Sequence, residues 1–181
     1  MTNMNLKKLL ILSFNLFTFL CYSQHTFKTN LGFKFGLNNT YINGTDVNGA
    51  KTGFDGTEFY ASFFSDTKIG KNTSIENELL YSFTDGAQFI EIPIHLKNKI
   101  YKNIYILYGP KIDLIAAKEM ESDKFDPIGL SLEVGGQFLI TKKLFIELRY
   151  AKGLTEQLKV FQSDILNATR NTLRLGIGVK F

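Results

Sequence analysis

Cysteine is almost missing from this chain: Cys21 is the only one in 181 residues. A disulfide framework is therefore excluded, whatever compartment the protein occupies. Proline is scarce too, at 3 residues. No apolar run beyond Leu20 is long enough for a membrane-spanning helix, and mean hydropathy is −0.03. Those two facts exclude a helical membrane protein. Charge of one sign is also lacking: 21 Lys and Arg face 17 Asp and Glu, and Lys7 and Lys8 supply two of the bases. With no basic stripe carrying interleaved aromatics, nucleic acid is not an expected partner. What the chain does have is 44% hydrophobic residues, 17 Phe, 8 Tyr and 15 Gly. That mixture suits strands and turns and is not the composition of a disordered chain. The length fits one domain.

The first residues, MTNMNLKKLLILSFNLFTFLCYSQ, place two lysines before an apolar run from Leu9 to about Leu20, followed by small or polar residues. This is the plan of a cleavable signal peptide, too short for a spanning helix. Cleavage after Ser23 divides the chain into a signal peptide, 1–23, and a mature domain, 24–181, with no cysteine left. A buried first helix is the alternative. Lipidation of Cys21 is disfavoured by Leu20, which is not the small residue such sites place before the cysteine.

The mature part repeats one pattern. Apolar residues alternate with polar or small ones in LGFKFGLN, TEFYASFF, SIENELLYSF, FIEIPIHLK, NIYILYGPKIDLIA, GLSLEVGGQFLI, LFIELRYAKG and NTLRLGIGVKF. Only Asn77 interrupts its apolar set. Eight two-faced segments predict an all-β fold: an eight-stranded antiparallel up-and-down transmembrane β-barrel. Connections are expected at 38–56, 65–72, 84–87, 98–103, 116–127, 141–143 and 155–171. The odd-numbered ones include the three longest, 38–56, 116–127 and 155–171. The even ones are short and rich in Lys, Asn and Asp. Outer-membrane barrels have this asymmetry, with short turns and both termini on the periplasmic side.

Two architectures share the alternation: a soluble lipocalin-like barrel with a greasy interior, and a membrane barrel with a polar one. The polar face decides for the second. It carries Lys34, Glu58, Glu76, Glu78, Glu91, His95, Lys97, Lys111, Asp113, Glu133, Glu147, Arg149, Arg174 and Lys180, nearly balanced in charge. Gly32, Gly36, Gly109, Gly135, Gly176 and Gly178 share that face, and a narrow interior needs small residues beside long charged ones. Such a barrel is just wide enough to be filled by its side chains. The expectation is a packed, ion-paired interior rather than a channel. On the apolar face, Tyr81, Phe83 and Tyr150 fall toward the long connections, and Phe63, Phe138 and Phe181 toward the short turns, as two interfacial aromatic girdles.

The stretches LGFKFGLN, ENELLYSFTDGAQFIEIPIHLK, YILYGPKI and LFIELRYAKGL, with the ending GVKF, resemble the small PorT-like outer-membrane barrels of Bacteroidota. The resemblance spans nearly all of the mature chain. It implies an eight-stranded barrel in the Gram-negative outer membrane. Through the terminal aromatic, matched by Phe181, it also implies recognition by the barrel-assembly machinery. It implies no single activity and supplies no catalytic residues.

The polar face holds the residues that could carry chemistry. His95 with Ser82 or Ser131 would suit a hydrolase triad only if nucleophile and base met. A hydrogen-bonded interior histidine is the better expectation. Glu76, Glu78, Glu91, Glu133 and Glu147 read as salt-bridge partners rather than metal ligands, given the bases beside them. Asp46, Asp55, Asp123 and Asp126 form no dense calcium loop. NGTDVNGAKTGFDG lacks the ending of a phosphate loop. Pro93 removes a ladder donor and predicts a bulge. No enzyme, metal or cofactor is expected. Expected partners are outer-membrane lipid, the assembly machinery, and a protein reached through 38–56, 116–127 and 155–171. The function expected is a structural or interaction barrel, with an accessory role in binding or secretion as the alternative.

Overall fold

The computed structural model describes residues 28–46, 49, 51–84, 87–116, 128–156 and 165–181. Every regular element among them is a strand: β1 Thr29–Asp46, β2 Lys51–Lys68, β3 Thr73–Thr84, β4 Ala87–Tyr101, β5 Ile104–Ile115, β6 Ile128–Leu139, β7 Leu144–Gly153 and β8 Ile165–Lys180. Each pairs antiparallel with the next, and β8 returns to β1, so the sheet is a closed barrel in simple up-and-down order. Around the body of the barrel closure leaves no sheet edge unpaired. The signal-peptide reading, residues 117–127 of the expected connection 116–127, and with them Asp123 and Asp126, lie outside the described residues.

Alternation now has a direction. Leu31, Phe33, Phe35 and Leu37 on β1 are exposed, while Gly32, Lys34 and Asn38 are buried. On β8, Leu173, Leu175, Ile177 and Val179 are exposed beside buried Arg174, Gly176 and Gly178. Asn77 points out with its apolar neighbours. The outer surface is apolar and the inside charged, the reverse of a soluble barrel.

Four expectations about connections and one about the ladder need correction. Residues 38–56 are not a long loop: β1 and β2 pair from Thr29↔Thr67 as far as Thr45↔Lys51. Residues 155–171 are only partly a connection, since β8 begins at Ile165 and Glu156 bridges Thr169. The turns expected at 65–72 and 98–103 shrink to 69–72 and 102–103. In each case residues that read as loop, Asn, Gly, Asp and Lys among them, continue the ladder of backbone hydrogen bonds. Pro93 causes no bulge. The β3–β4 pairing lapses opposite it and resumes in the same register, and the register shifts fall instead at Asn43/Thr45 and Lys99/Tyr101.

One end of the barrel carries turns 69–72, 102–103 and 140–143 together with Lys28 and Phe181. The other carries the connections after β1, β3, β5 and β7. In sequence, those connections hold Asp85, Glu119, Glu121, Asp123, Asp126, Glu156 and Asp164 against Lys118, Lys124 and Lys159. Beyond the β2–β3 pairing, which starts at Phe59↔Phe83, β1, β2 and β8 continue as a taller wall on this second end.

Candidate functional site

Strand parity brings one side chain in every two into a lumen too narrow for water-separated charges, so each charged residue there must find a partner. Toward the short-turn end, Lys34 Nζ lies 2.6 Å from Glu76 Oε1, 2.9 Å from Glu78 Oε2 and 3.1 Å from Glu147 Oε2. Lys97 Nζ lies 2.7 Å from Glu76 Oε2 and 2.9 Å from Asp66 Oδ2, and Lys180 Nζ reaches the same Asp66 oxygen at 3.1 Å. Aromatic rings fill the space between these ammonium groups. Phe64 and Phe145 meet edge to face at 5.7 Å, and Lys34 Nζ stands 4.9 Å from the Phe64 centroid.

Arginines take over at the middle. Arg149 donates from Nη1 to Glu78 Oε2 and Glu133 Oε1, both at 2.9 Å, and its Nη2 lies 2.7 Å from Glu147 Oε1. Arg174 donates from Nη2 to Glu91 Oε2 at 2.6 Å and from Nη1 to Glu133 Oε2 at 3.3 Å. His95 Nε2 sits 3.0 Å from Glu133 Oε1. Nearer the long-connection end, Lys111 contacts Glu91 and Asp113 at 2.7 and 2.8 Å. Arg170 there reaches Glu58 at 2.8 Å, Asp113 at 3.0 Å and Glu91 at 3.2 Å, with its guanidinium 3.8 Å over Phe89. A planar guanidinium can serve several carboxylates at once, which is why arginines bridge strands far apart in sequence.

The sequence-selected residues Lys34, Glu76, Glu78, Glu91, His95, Lys111, Asp113, Glu133, Glu147, Arg149 and Arg174 are all buried in this network, and Lys180 is half-buried at its end. Glu58 and Lys97, read only as members of the polar face, are full participants. Arg170 and Asp66 were hidden in stretches read as connections. Extending the β8 alternation four residues back from Arg174 would have found Arg170. The apolar interior residues Phe64, Leu80, Leu107 and Phe145 follow from the same parity. Phe63, Tyr81, Phe83, Phe138, Tyr150 and Phe181 are exposed on the outer face. Phe33, Phe63 and Phe181 cluster near the short-turn end, while Phe59, Tyr81 and Phe83 cluster higher on the same wall.

The arrangement offers little to catalysis. Ser82 donates to Glu91 and Ser131 to Asp113, so both hydroxyls are engaged with carboxylates instead of His95. Glu76, Glu78 and His95 each offer an atom within 4.8 Å of the others, a spacing that could hold a metal ion. Lys34, Lys97 and Arg149 already neutralise those two carboxylates, which leaves no excess negative charge for a cation.

A closed eight-stranded up-and-down barrel, apolar outside and filled by ion pairs inside, is the class that fold and interior define. Among solved structures it is similar to Neisserial surface protein A, at 11% identity over 85% of this chain and 99% of that one, with a TM-score of 0.52. It also matches Ail, the attachment invasion locus protein of Yersinia pestis, at 13% identity over 85% and 99% of the two chains, TM-score 0.49. OprG from Pseudomonas aeruginosa matches at 12% identity over 84% and 95%, TM-score 0.42. At these identities the likeness is one of fold, and it rests on the first of the three. No family model and no curated protein matches the chain.

Proposed function

We propose that the protein is a small barrel of the Gram-negative outer membrane that acts as a structural or interaction element and not as an open pore. The observation that carries this reading is the inversion of its two faces. Large apolar side chains cover the outside, while Lys34, Glu76, Glu91, His95, Arg149 and Arg174 are wholly buried. In water that arrangement would expose the apolar surface and bury the charge, both unfavourable; in a lipid bilayer both are satisfied. Strand length supports it. β3, β5 and β6 have 12 residues and β7 has 10. A tilted strand needs about 9–11 residues to cross the hydrocarbon layer.

In this reading residues 1–23 are the signal peptide, the short turns and both termini are periplasmic, and the connections 116–127 and 154–164 face outward to any protein partner. The outer-face aromatics serve as interfacial anchors. The PorT-like resemblance of the strand sequences points the same way and adds no activity.

Two measurements test the proposal. Outer membranes from a Gram-negative host expressing the full chain should yield a band that migrates faster unheated than boiled. A protein found in the periplasmic fraction without that shift would overturn the membrane reading. Reconstituted in a planar bilayer, the folded protein should give no stable conductance steps, whereas long-lived open channels would show that the ion pairs leave a path.

A further inference from the structure

The short-turn end carries a second feature that a buried network does not require. Lys68 and Lys71 flank or occupy turn 69–72, Lys99 and Lys102 turn 102–103, Lys142 and Lys143 turn 140–143, and Lys28 precedes β1. All seven are exposed. Among the described residues no exposed Asp or Glu lies at this end: Asp66, Glu76 and Glu147 are buried inside. The connections that join strands at the opposite end are acidic on balance in sequence. The lysines do not form one patch. They are spread over three turns and the start of β1, which divides them around the circumference. Exposed apolar residues sit among them, Ile69, Ile100, Tyr101 and Ile140, and Lys102 Nζ stands 5.4 Å from the Tyr101 ring.

We infer that this end is a collar for the phosphate groups of anionic phospholipids in the leaflet it faces. The inference rests on the membrane reading above. A ring of cations directly bordering an apolar belt meets lipid headgroups from every side, whereas a protein partner would dock on one side only. The isoleucines and Tyr101 enter the acyl boundary as the ammonium groups reach the phosphates, the amphipathic division expected of an interfacial anchor. Lysine is suited to this task because mobile headgroups need a point charge and not a rigid fork.

The test uses the full chain purified in a neutral detergent mixed with either phosphatidylglycerol or phosphatidylcholine of the same acyl chains. Lipid retained per barrel is counted after gel filtration. Phosphatidylglycerol should be retained at least roughly tenfold more, given several lysines each contributing to attraction for an anionic surface. The preference should collapse in the variant K68Q, K71Q, K99Q, K102Q, K142Q, K143Q. It should also collapse for the unaltered protein in about 1 M NaCl, where the screening length is about 3 Å. The salt arm keeps the inference testable if the variant folds poorly. Equal retention of the two lipids by a barrel that still shows its heat-dependent gel shift would overturn the collar alone. Loss of the gel shift in the unaltered protein would overturn the membrane reading instead. Displacement of the lipid by millimolar glycerol phosphate would show a site for free phosphate and overturn the assignment to lipid.

Discussion

Arg174 and Leu175 are neighbours on β8, yet the arginine is 0% exposed and the leucine 59%. The two faces of every strand obey different demands. The outer face has to match a solvent, and any apolar side chain of suitable size does so. The inner face has to satisfy each group by name: Arg174 is held by Asn38, Glu91 and Glu133, three residues from three other strands. Damage outside should therefore scale with depth in the bilayer. Damage inside should scale with the charge left behind.

The largest effect is expected at Arg174→Ala, which strands Glu91 and Glu133 without one of their cations. A loss of about 3–5 kcal/mol follows from removing one partner of a buried ion-pair network, although Lys111 and Arg170 still reach Glu91 and Arg149 still reaches Glu133; it is measurable by urea unfolding from lipid vesicles. Far-UV circular dichroism is the suitable signal, because the chain has no tryptophan. A loss below about 1 kcal/mol would mean that the lumen is wet enough to solvate carboxylates. Next comes Leu175→Arg on the outer face, opposite Leu148 at the middle of β7, at about 2–4 kcal/mol. Glu147→Gln keeps the shape but removes the charge that Lys34 and Arg149 contact at 3.1 and 2.7 Å. A loss of about 1.5–3 kcal/mol is expected, the range for hydrogen bonds to charged groups.

Gly176→Ala sharpens the comparison from the side of volume, since a methyl there would collide with the Tyr60 hydroxyl. The expected cost is about 1–3 kcal/mol, and Tyr60→Phe in the same chain should recover part of it. Additive losses in the double variant would show that the hydroxyl is not the obstacle. The smallest effect is assigned to Val179→Arg, also outward but close to the short turns, at about 0–1 kcal/mol. Equal losses at Leu175 and Val179 would break the dependence on depth, and with it the bilayer placement.

How much of this was legible in the sequence differs between the two faces as well. Phe33, Leu79, Ile90 and Leu175 announce themselves by alternation, and so do the acids and bases between them. The strand tips do not. In Thr40 to Asp46, Lys51 to Gly56 and Ile165 to Asn171 the strand formers are interrupted by Asn, Gly, Asp and Lys, so the two-residue alternation is lost although the backbone ladder continues. Arg170, which joins Glu58, Glu91 and Asp113, fell into that blind zone. Which carboxylate each base selects was not legible either. Parity fixes the face, whereas partner choice across the lumen depends on the relative stagger of strands such as β3 and β7, distant in sequence.

The glycines of the first and last strands bear on how the barrel keeps its shape. Gly36 and Gly176 face each other across the β1–β8 join, and Gly32 and Gly178 lie close by. The space they leave is taken by Phe64 from β2 and Phe145 from β7, whose rings touch in front of the join, and by Tyr60 over Gly176. The two strands flanking the join are thereby fastened to one another by a crossbar of rings laid over it. A hoop is weakest where its ends meet. Here that point is spanned twice, once by the ladder and once by the crossbar, so sideways parting of β1 from β8 must unstack aromatic rings before a wall can yield.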